Sequence, residues 1–193
     1  WRVYRHGAGL LYTFGIPRRR PPTYKAVAID RGLSEGVLYF PAHDDGPRPS
    51  SALDFPLDEL LFQHRLAREG AVELHACGVK RGGGVFLFCG QSGAGKTTTA
   101  RLWRRHCPAI RVLSDDRIVV REMRAGFRAY GTPWHGEAGY AEPESGRVRG
   151  VFFLRHAATS SLRRLSPPEA AARLFARTFP PVWQRDAVRN GLR

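Results

Sequence analysis

The hydrophobic residues at the start of the chain come in short runs separated by Gly and Pro. The four runs are Trp1–Tyr4, Leu10–Phe14, Ala26–Ile29 and Gly36–Phe40. Short apolar runs between these residues are typical of strands. The pattern therefore predicts a mainly antiparallel sheet in this part of the chain.

The period of the pattern changes after Pro56. Leu57, Leu60, Leu61 and Leu66 then fall at helical spacing, with Asp58 and Glu59 at the start and Gly70 beyond the end. Acidic residues in the first turn and a glycine after the last turn favour a helix. We expect one over Pro56–Glu69.

Strands and helices alternate in the rest of the chain. Three glycines within Lys80–Gly84 separate the apolar runs Val72–Val79 and Val85–Cys89, which predicts a hairpin with a five-residue loop. The later predicted elements are helix Thr97–His106, strand Ile110–Leu113, strands Ile118–Arg121 and Phe127–Tyr130, strand Val151–Leu154, and a helix from Pro167 to about Thr178 capped by Ser166. The expected fold is α/β, with an N-terminal antiparallel β region followed in the chain by a mixed sheet and its flanking helices.

Size and composition suit a single globular domain. The chain has 193 residues, 42% hydrophobic and 25% charged, which is enough for a buried core. We expect one domain over 1–193, with a β-rich part and helix over 1–70 and a core over 71–193. No apolar run approaches the roughly 18 residues of a membrane span, and no secretory signal is visible. Three cysteines without a CxxC pair argue against a disulfide framework or zinc site, so a reducing cytoplasm is expected.

The chain is strongly basic. Lys and Arg total 31 against 17 Asp and Glu, a net charge of +14, yet only Lys25, Lys80 and Lys96 are lysines. A surface for polyanions would give this charge. Arginine bias from a GC-rich genome would also give it, and we favour that reading, with attraction of an anionic ligand as a secondary use.

A glycine-rich motif follows the second strand of the hairpin. Residues 90–97 fit GxxxxGK[ST] at every position, between a predicted strand and a predicted helix. Such a loop wraps backbone N–H groups around phosphate oxygens, with Lys96 reaching the β- and γ-phosphates and Thr97 coordinating Mg²⁺. The candidate nucleotide-binding residues are Gly90, Gln91, Ser92, Gly93, Ala94, Gly95, Lys96, Thr97 and Thr98.

Two aspartates follow the next predicted strand. Asp115 and Asp116 come one helix, one short connection and one strand after Lys96, which predicts that they lie beside the glycine-rich loop. One carboxylate would hold Mg²⁺ and the other would accept the proton of an attacking hydroxyl. The sequence does not distinguish these roles; as a working assignment, Thr97 and Asp116 are the metal ligands.

Further candidates come from the hairpin register and from a later loop. Pairing Val79 with Val85 would place His75 opposite Cys89, next to the glycine-rich loop, where it could approach the γ-phosphate or an aspartate. Residues 131–137, GTPWHGE, combine hydroxyl, indole, imidazole and carboxylate groups, so we expect them to line the site. The candidate substrate contacts are Trp134, His135 and, after the strand Val151–Leu154, Arg155.

These motifs resemble the HPr kinase/phosphorylase superfamily, and most closely its small members found with lasso-peptide and other peptide-modification systems. The likeness covers about 72–165 and consists of His75, GVFLFCGQSGAGKTTTARLW, VLSDD and GTPWHGE. It implies a P-loop fold similar to phosphoenolpyruvate carboxykinase, ATP and Mg²⁺ as cofactors, and active-site roles for His75, Lys96, Thr97, Asp115 and Asp116. The glycine- and arginine-bearing signature of true HPr kinases is absent, which favours a peptide over HPr as acceptor.

The leading hypothesis is an ATP-dependent kinase for a serine hydroxyl of a protein or peptide, such as a lasso-type precursor. A non-catalytic nucleotide-binding regulatory or scaffold protein is the second hypothesis. A nucleic-acid-associated NTPase is the third, although the sequence carries no LSGGQ motif and no evident RNA-binding motif. No membrane partner is expected, and a homo-oligomer stays open.

Overall fold

The structure of the chain is a computed structural model, and it describes residues 1–16, 18, 23–40 and 52–180. The chain divides into two compact units, Trp1–Arg65 and Leu66–Arg193. The expectation of one domain with parts 1–70 and 71–193 stays a prediction.

The first unit contains a four-stranded antiparallel sheet in the order β1-β2-β3-β4. Its strands are β1 (Arg2–His6), β2 (Gly9–Gly15), β3 (Thr23–Asp30) and β4 (Gly36–Tyr39). Alternate residues of β2 are buried, namely Leu10, Tyr12 and Phe14, as expected for a strand with one covered face. The antiparallel prediction for this part is confirmed.

Three helices are described: α1 (Leu57–Arg68), α2 (Lys96–His106) and α3 (Pro167–Phe175). They lie where the pattern predicts helices, but α3 ends at Phe175 and not near Thr178. Ser166 is the N-cap residue of α3, as predicted, although its side chain makes no capping hydrogen bond. None of these helices is long and apolar enough to cross a membrane.

The second unit contains a six-stranded mixed sheet. Its strands are β5 (Ala71–Arg81), β6 (Gly84–Cys89), β7 (Arg111–Ser114), β8 (Arg117–Met123), β9 (Gly126–Gly131) and β10 (Ser145–Phe153). β6 and β10 pair in parallel, and the other described pairs are antiparallel. The pairings run from β5 through β6, β10, β9 and β8 back to β5, so they close on themselves. The expected α/β class with a mixed sheet is confirmed.

Strand β5 pairs with β6 along one edge and with β7 and β8 along the other. The hairpin between β5 and β6 turns at Gly82 and Gly83, because Arg81 already pairs with Gly84. Gly82 has φ +57°, which suits a two-residue turn. The five-residue loop predicted from Lys80 to Gly84 was therefore wrong.

This tighter turn shifts the hairpin register by one residue. Ala76 pairs with Cys89, and His75 pairs with Arg117 of β8, so the predicted pairing of His75 with Cys89 was wrong. A one-residue shift changes which side chains of the two strands share a face of the sheet. His75 therefore lies on the face opposite to Cys89, the face of Cys77 and Phe88.

Each face of this sheet carries a separate apolar cluster. On one face Cys77, Val79 and Phe88 pack with Ala100 of α2. On the other face the buried residues are Leu74, Ala76, Val85, Leu87, Cys89, Leu113, Ile118 and Ala129. Burial on both faces fixes the strand register, since a slipped strand would move both clusters out of place.

Gly131 at the end of β9 tests how tightly this sheet is packed. A Cβ there would lie 2.0 Å from the Glu142 carbonyl oxygen and 2.8 Å from that of Leu113. Since backbone atoms must move to relieve these contacts, we expect Gly131→Ala to destabilise the protein by about 2 kcal/mol or more. Urea denaturation measures this; Gly83→Ala, which meets nothing within 4 Å, is the control. Equal stability of G131A and wild type would contradict the packing described.

Candidate functional site

The glycine-rich loop connects β6 to α2. Gly93 and Gly95 have φ values of 77° and 99°, a left-handed backbone that favours glycine, and Gly95 is the N-cap of α2. Gln91 and Ser92 are exposed beside Gly93, and Thr98 is exposed on α2. The loop thus presents backbone and the positive end of a helix dipole to solvent at the end of a buried strand.

Lys96 is the first residue of α2 and folds back over the loop. Its Nζ donates hydrogen bonds to the carbonyl oxygens of Gly90 and Gln91, at 3.1 and 3.2 Å. Burial lowers the pKa of the Lys96 amine, while the negative charge of Asp116 opposes that shift. The ammonium group is therefore held by weak neutral acceptors, which anionic oxygens would replace favourably.

Asp115 is buried and held from two sides. Its carboxylate accepts hydrogen bonds from the backbone N–H groups of Gly136 and Ala138, at 2.9 and 3.1 Å. The Thr97 hydroxyl lies 3.4 Å from its Oδ2. A Cβ at Gly136 would lie 2.8 Å from that same oxygen, so glycine is needed for this close approach. The loop 131–137 therefore contacts Asp115 through the backbone of Gly136.

Asp116 is partly exposed and pairs with two basic side chains. His75 Nε2 lies 3.1 Å from its Oδ1, and Arg117 Nε donates to its Oδ2, also at 3.1 Å. The hydrogen bond from His75 lowers the pKa of Asp116 to about 2, and Arg117 acts in the same direction. Asp116 is therefore ionised at neutral pH, and one side of the carboxylate already faces an imidazole.

Ser114 fixes the bend that contains the two aspartates. Its hydroxyl donates to the Trp134 carbonyl oxygen at 2.8 Å and accepts from the N–H groups of Asp116 and Arg117 at 3.1 and 3.0 Å. Trp134 thus contributes its carbonyl, while His135 is exposed and contacts the Gly136 carbonyl. Ser114 was not among the predicted site residues, although a serine directly before two aspartates is a signal for an ST turn.

The segment after α3 completes the surroundings of His75. The Arg177 carbonyl accepts a hydrogen bond from the backbone N–H of His75 at 2.8 Å, and the centre of the Phe179 ring lies 6.2 Å from that of the imidazole. The Arg117 guanidinium stacks over the same ring at 3.9 Å. Arg177 also lowers the pKa of Lys96, so it adds positive charge near the loop. No motif in the sequence marks this segment.

Two residues after β10 lie on the other side of the glycine-rich loop. His156 Nε2 is 2.8 Å from the Gly93 carbonyl oxygen, a contact that the sequence did not predict. Arg155 is exposed and has no hydrogen-bond or ion-pair partner within the described ranges. The structure thus brings His75, Lys96, Thr97, Asp115 and Asp116 together, whereas Arg155 makes no hydrogen bond or ion pair with them among the described residues.

The site has few groups that could hold a metal ion. Within the part of the chain that the structure describes, no group of three or more His, Cys, Asp or Glu side chains is arranged for a metal. The Thr97 hydroxyl and the Asp115 carboxylate are nevertheless adjacent. Mg²⁺ commonly takes one or two protein oxygens and completes its shell with phosphate and water, so this pair fits it.

The fold and the site define an α/β protein in which a glycine-rich strand-to-helix loop faces two strand-end aspartates and a histidine. The sequence matches the family described as SynChlorMet cassette protein ScmC over residues 59–190, about two thirds of the chain. The chain therefore belongs to this family. No curated protein and no solved structure matches it.

The contact between His75 and Asp116 makes a prediction about acid titration. Replacing His75 by Phe removes the hydrogen-bond donor and keeps a ring against Phe179, so the Asp116 pKa should rise from about 2 toward its ordinary value near 3.8. Carboxyl ¹³C NMR measures this. Asp30, whose pKa of about 2 depends mainly on backbone N–H groups, is the internal control and should not change.

The same substitution should change stability in acid. An ionised Asp116 stabilises the fold above the ordinary aspartate range, and this contribution is lost as the pH falls from about 4 to about 2. H75F should lose less stability than wild type across that interval. An unchanged Asp116 titration in H75F would show that the imidazole does not hold the carboxylate.

Proposed function

We propose that this protein is an ATP-dependent kinase that transfers the γ-phosphoryl group to a serine hydroxyl of a peptide or small protein. The observation that carries the proposal is the grouping of Lys96 and Thr97, at the start of α2, with His75 of β5 and with the two aspartates between β7 and β8. Phosphoryl transfer needs a phosphate cradle, a metal ligand and a carboxylate for the acceptor.

The triphosphate would lie on the glycine-rich loop. Backbone N–H groups at the start of α2 would face the phosphates, and the helix dipole favours their charge. Lys96 would exchange its bonds to the Gly90 and Gln91 carbonyls for bonds to the β- and γ-phosphates, which are stronger acceptors. We infer a P-loop fold of the HPr kinase and phosphoenolpyruvate carboxykinase type, on the strength of this loop and the sequence resemblance.

We assign the metal-side carboxylate to Asp115. It is the aspartate next to the Thr97 hydroxyl, and two backbone N–H groups fix its orientation. This reverses the working assignment of Asp116 as the partner of Thr97. Mg²⁺, when bound with the nucleotide, would neutralise charge on the β- and γ-phosphates.

Asp116 and His75 would then serve the acceptor. The serine hydroxyl would donate a hydrogen bond to Asp116, and its oxygen would form a bond to the γ-phosphorus. The bond from that phosphorus to the bridging oxygen breaks, and its electrons stay on ADP. The hydroxyl proton passes to the Asp116–His75 pair, which is already joined at 3.1 Å. Lys96 stabilises charge on the transferred group.

We propose the acceptor class on the strength of the sequence resemblance, which points to a lasso-type or related precursor peptide. The family description, a cassette protein, is compatible with an acceptor that a partner gene supplies. The cytoplasm, where ATP and newly made peptides meet, is the proposed location.

Transfer from ATP labelled in the γ-phosphate to an array of serine peptides tests the proposal. Lys96→Ala should weaken nucleotide binding at least about tenfold, because a charged hydrogen bond to phosphate is lost. Asp116→Asn should keep nucleotide binding and lower the transfer rate by about a hundredfold or more. Arg101→Ala, on the exposed side of α2, is the control for changes on the same helix.

Two outcomes would contradict the proposal. Nucleotide binding without label on any peptide, in wild type as in the variants, would favour a regulatory or scaffold role. ATP hydrolysis that nucleic acid stimulates, with strongly salt-dependent binding, would favour the NTPase alternative.

The metal assignment makes a separate prediction. Asp115→Asn should raise the Mg²⁺ concentration needed for half-maximal transfer by about tenfold, because one anionic oxygen near the metal is lost. Asp116→Asn should leave that concentration nearly unchanged while lowering the rate. A larger shift for D116N than for D115N would restore the reverse assignment.

A further inference from the structure

A groove of about 1080 Å³ runs between β10 and α3 in the second unit. One wall consists of consecutive residues from Val151 to Arg155, another comes from α3, including Leu174, and most of residues 157–165 line the remainder. Side chains of a strand alternate between faces, so consecutive residues along one wall mean that the groove follows the strand edge. Its volume lies at or above the upper end of small-molecule cavities, roughly 300–1000 Å³.

The edge of β10 along this groove has unpaired backbone. β10 pairs with β9 only from Ser145 to Arg147, and its ladder with β6 is irregular between Val148 and Gly150. From Val148 onward β10 pairs with β6 alone, and within the described ranges no strand covers its other edge. Free N–H and C=O groups at a strand edge can accept an extended peptide as an additional strand.

The rim of the groove is positively charged. The acidic residue nearest to it in α3 is Glu169, next to the lining residue Ala170, and Glu169 already pairs with Arg163 and Arg173. Arg155 and Arg164 also line the groove, are exposed, and have no ion-pair or hydrogen-bond partner among the described residues. Two unneutralised guanidinium groups favour an acidic segment, and the apolar Val151, Phe153 and Leu174 favour aliphatic side chains between the acids.

One end of the groove adjoins the glycine-rich loop. The Leu154 N–H donates to the Cys89 carbonyl at 2.8 Å, directly before that loop, and His156 contacts Gly93. A strand added to β10 would be two strand spacings, about 10 Å, from β6. A serine just beyond the Arg155 end could therefore turn toward the Lys96 side of the loop.

We propose that this groove docks an extended acidic peptide segment as an additional strand on β10 and that the acceptor serine follows it. The acceptor part of this inference rests on the proposed kinase activity. The docking part does not, because the groove consists of residues outside the phosphate cluster and can be tested without nucleotide.

Fluorescence anisotropy with the full chain and no nucleotide tests the docking. The probe is a short labelled peptide that alternates Glu and Val and ends in a serine, compared with its Gln–Val counterpart. The acidic probe should bind roughly tenfold more tightly, and raising the salt from about 0.05 to 0.5 M should reduce that advantage. Equal binding of the two probes would overturn the proposal.

Substitutions and a modified probe locate the binding. The double variant R155Q/R164Q should lose the preference for the acidic probe, whereas R101Q/R105Q, with the same change in net charge on α2, should keep it. An acidic probe N-methylated at alternate amides should bind about tenfold more weakly, because it cannot form the strand hydrogen bonds. Docking on this edge would be overturned if R155Q/R164Q kept the wild-type preference for the acidic probe. It would also be overturned if the N-methylated probe bound as tightly as the unmodified one.

Three further outcomes distinguish docking of an acidic peptide from other roles of the groove. Fluorescent ATP should bind R155Q/R164Q as it binds wild type; loss of ATP binding with unchanged peptide binding would assign the groove to the nucleotide. An oligonucleotide of equal charge that displaces the peptide at lower concentration would assign it to nucleic acid. Peptide docking with no phosphate transfer by wild type would uphold the groove and count against the kinase.

Discussion

The arrangement of the second unit depends on the pairing of β5 along both of its edges. One edge of β5 holds β6, which leads into the glycine-rich loop, and the other edge holds β7 and β8, between which the two aspartates lie. Because each ladder is fixed by buried side chains on both faces, the loop and the aspartates meet in a single register. His75 belongs to the same strand and so reaches Asp116 without any mobile element.

Backbone groups hold Asp115 and the main chain of His75. The Asp115 carboxylate accepts from the N–H groups of Gly136 and Ala138, and the backbone N–H of His75 donates to the Arg177 carbonyl. The Asp116 carboxylate is instead held by the side chains of His75 and Arg117. Backbone groups within a folded sheet or loop lose little further conformational entropy when they hold a side chain, which suits a preorganised site. Lys96 has a different role, because its carbonyl partners are weak and can be replaced.

Much of the fold was predictable, because the hydrophobic patterns are strong. Strands with alternating or continuous apolar residues and the helix after Pro56 lie near their predicted positions. The register of the hairpin between β5 and β6 could not be predicted, because its three glycines allow turns of several lengths. A turn that differs by one residue places a side chain on the opposite face of the sheet relative to its partner strand. His75 therefore lies near the glycine-rich loop, as predicted, but on the face opposite to Cys89.

The remaining features had no local signal. The contacts of Arg177 and Phe179 with β5 join positions far apart in the chain, and His156 reaches Gly93 from an irregular loop. Short-range periodicity contains no information on such pairs. Arg155 could be named as a candidate from its place after a strand, but its setting on an open strand edge depends on where β10 leaves β9.

A crystal structure of the protein with Mg²⁺ and a non-hydrolysable ATP analogue would show whether β5 brings phosphate binding, metal binding and proton acceptance into one cluster. We expect phosphates on the glycine-rich loop, and Lys96 moved from the Gly90 and Gln91 carbonyls to the γ-phosphate. We expect the metal on the Thr97 hydroxyl and Asp116 facing the γ-phosphorus. A nucleotide bound elsewhere, or a γ-phosphate remote from Asp116 and His75, would contradict this arrangement.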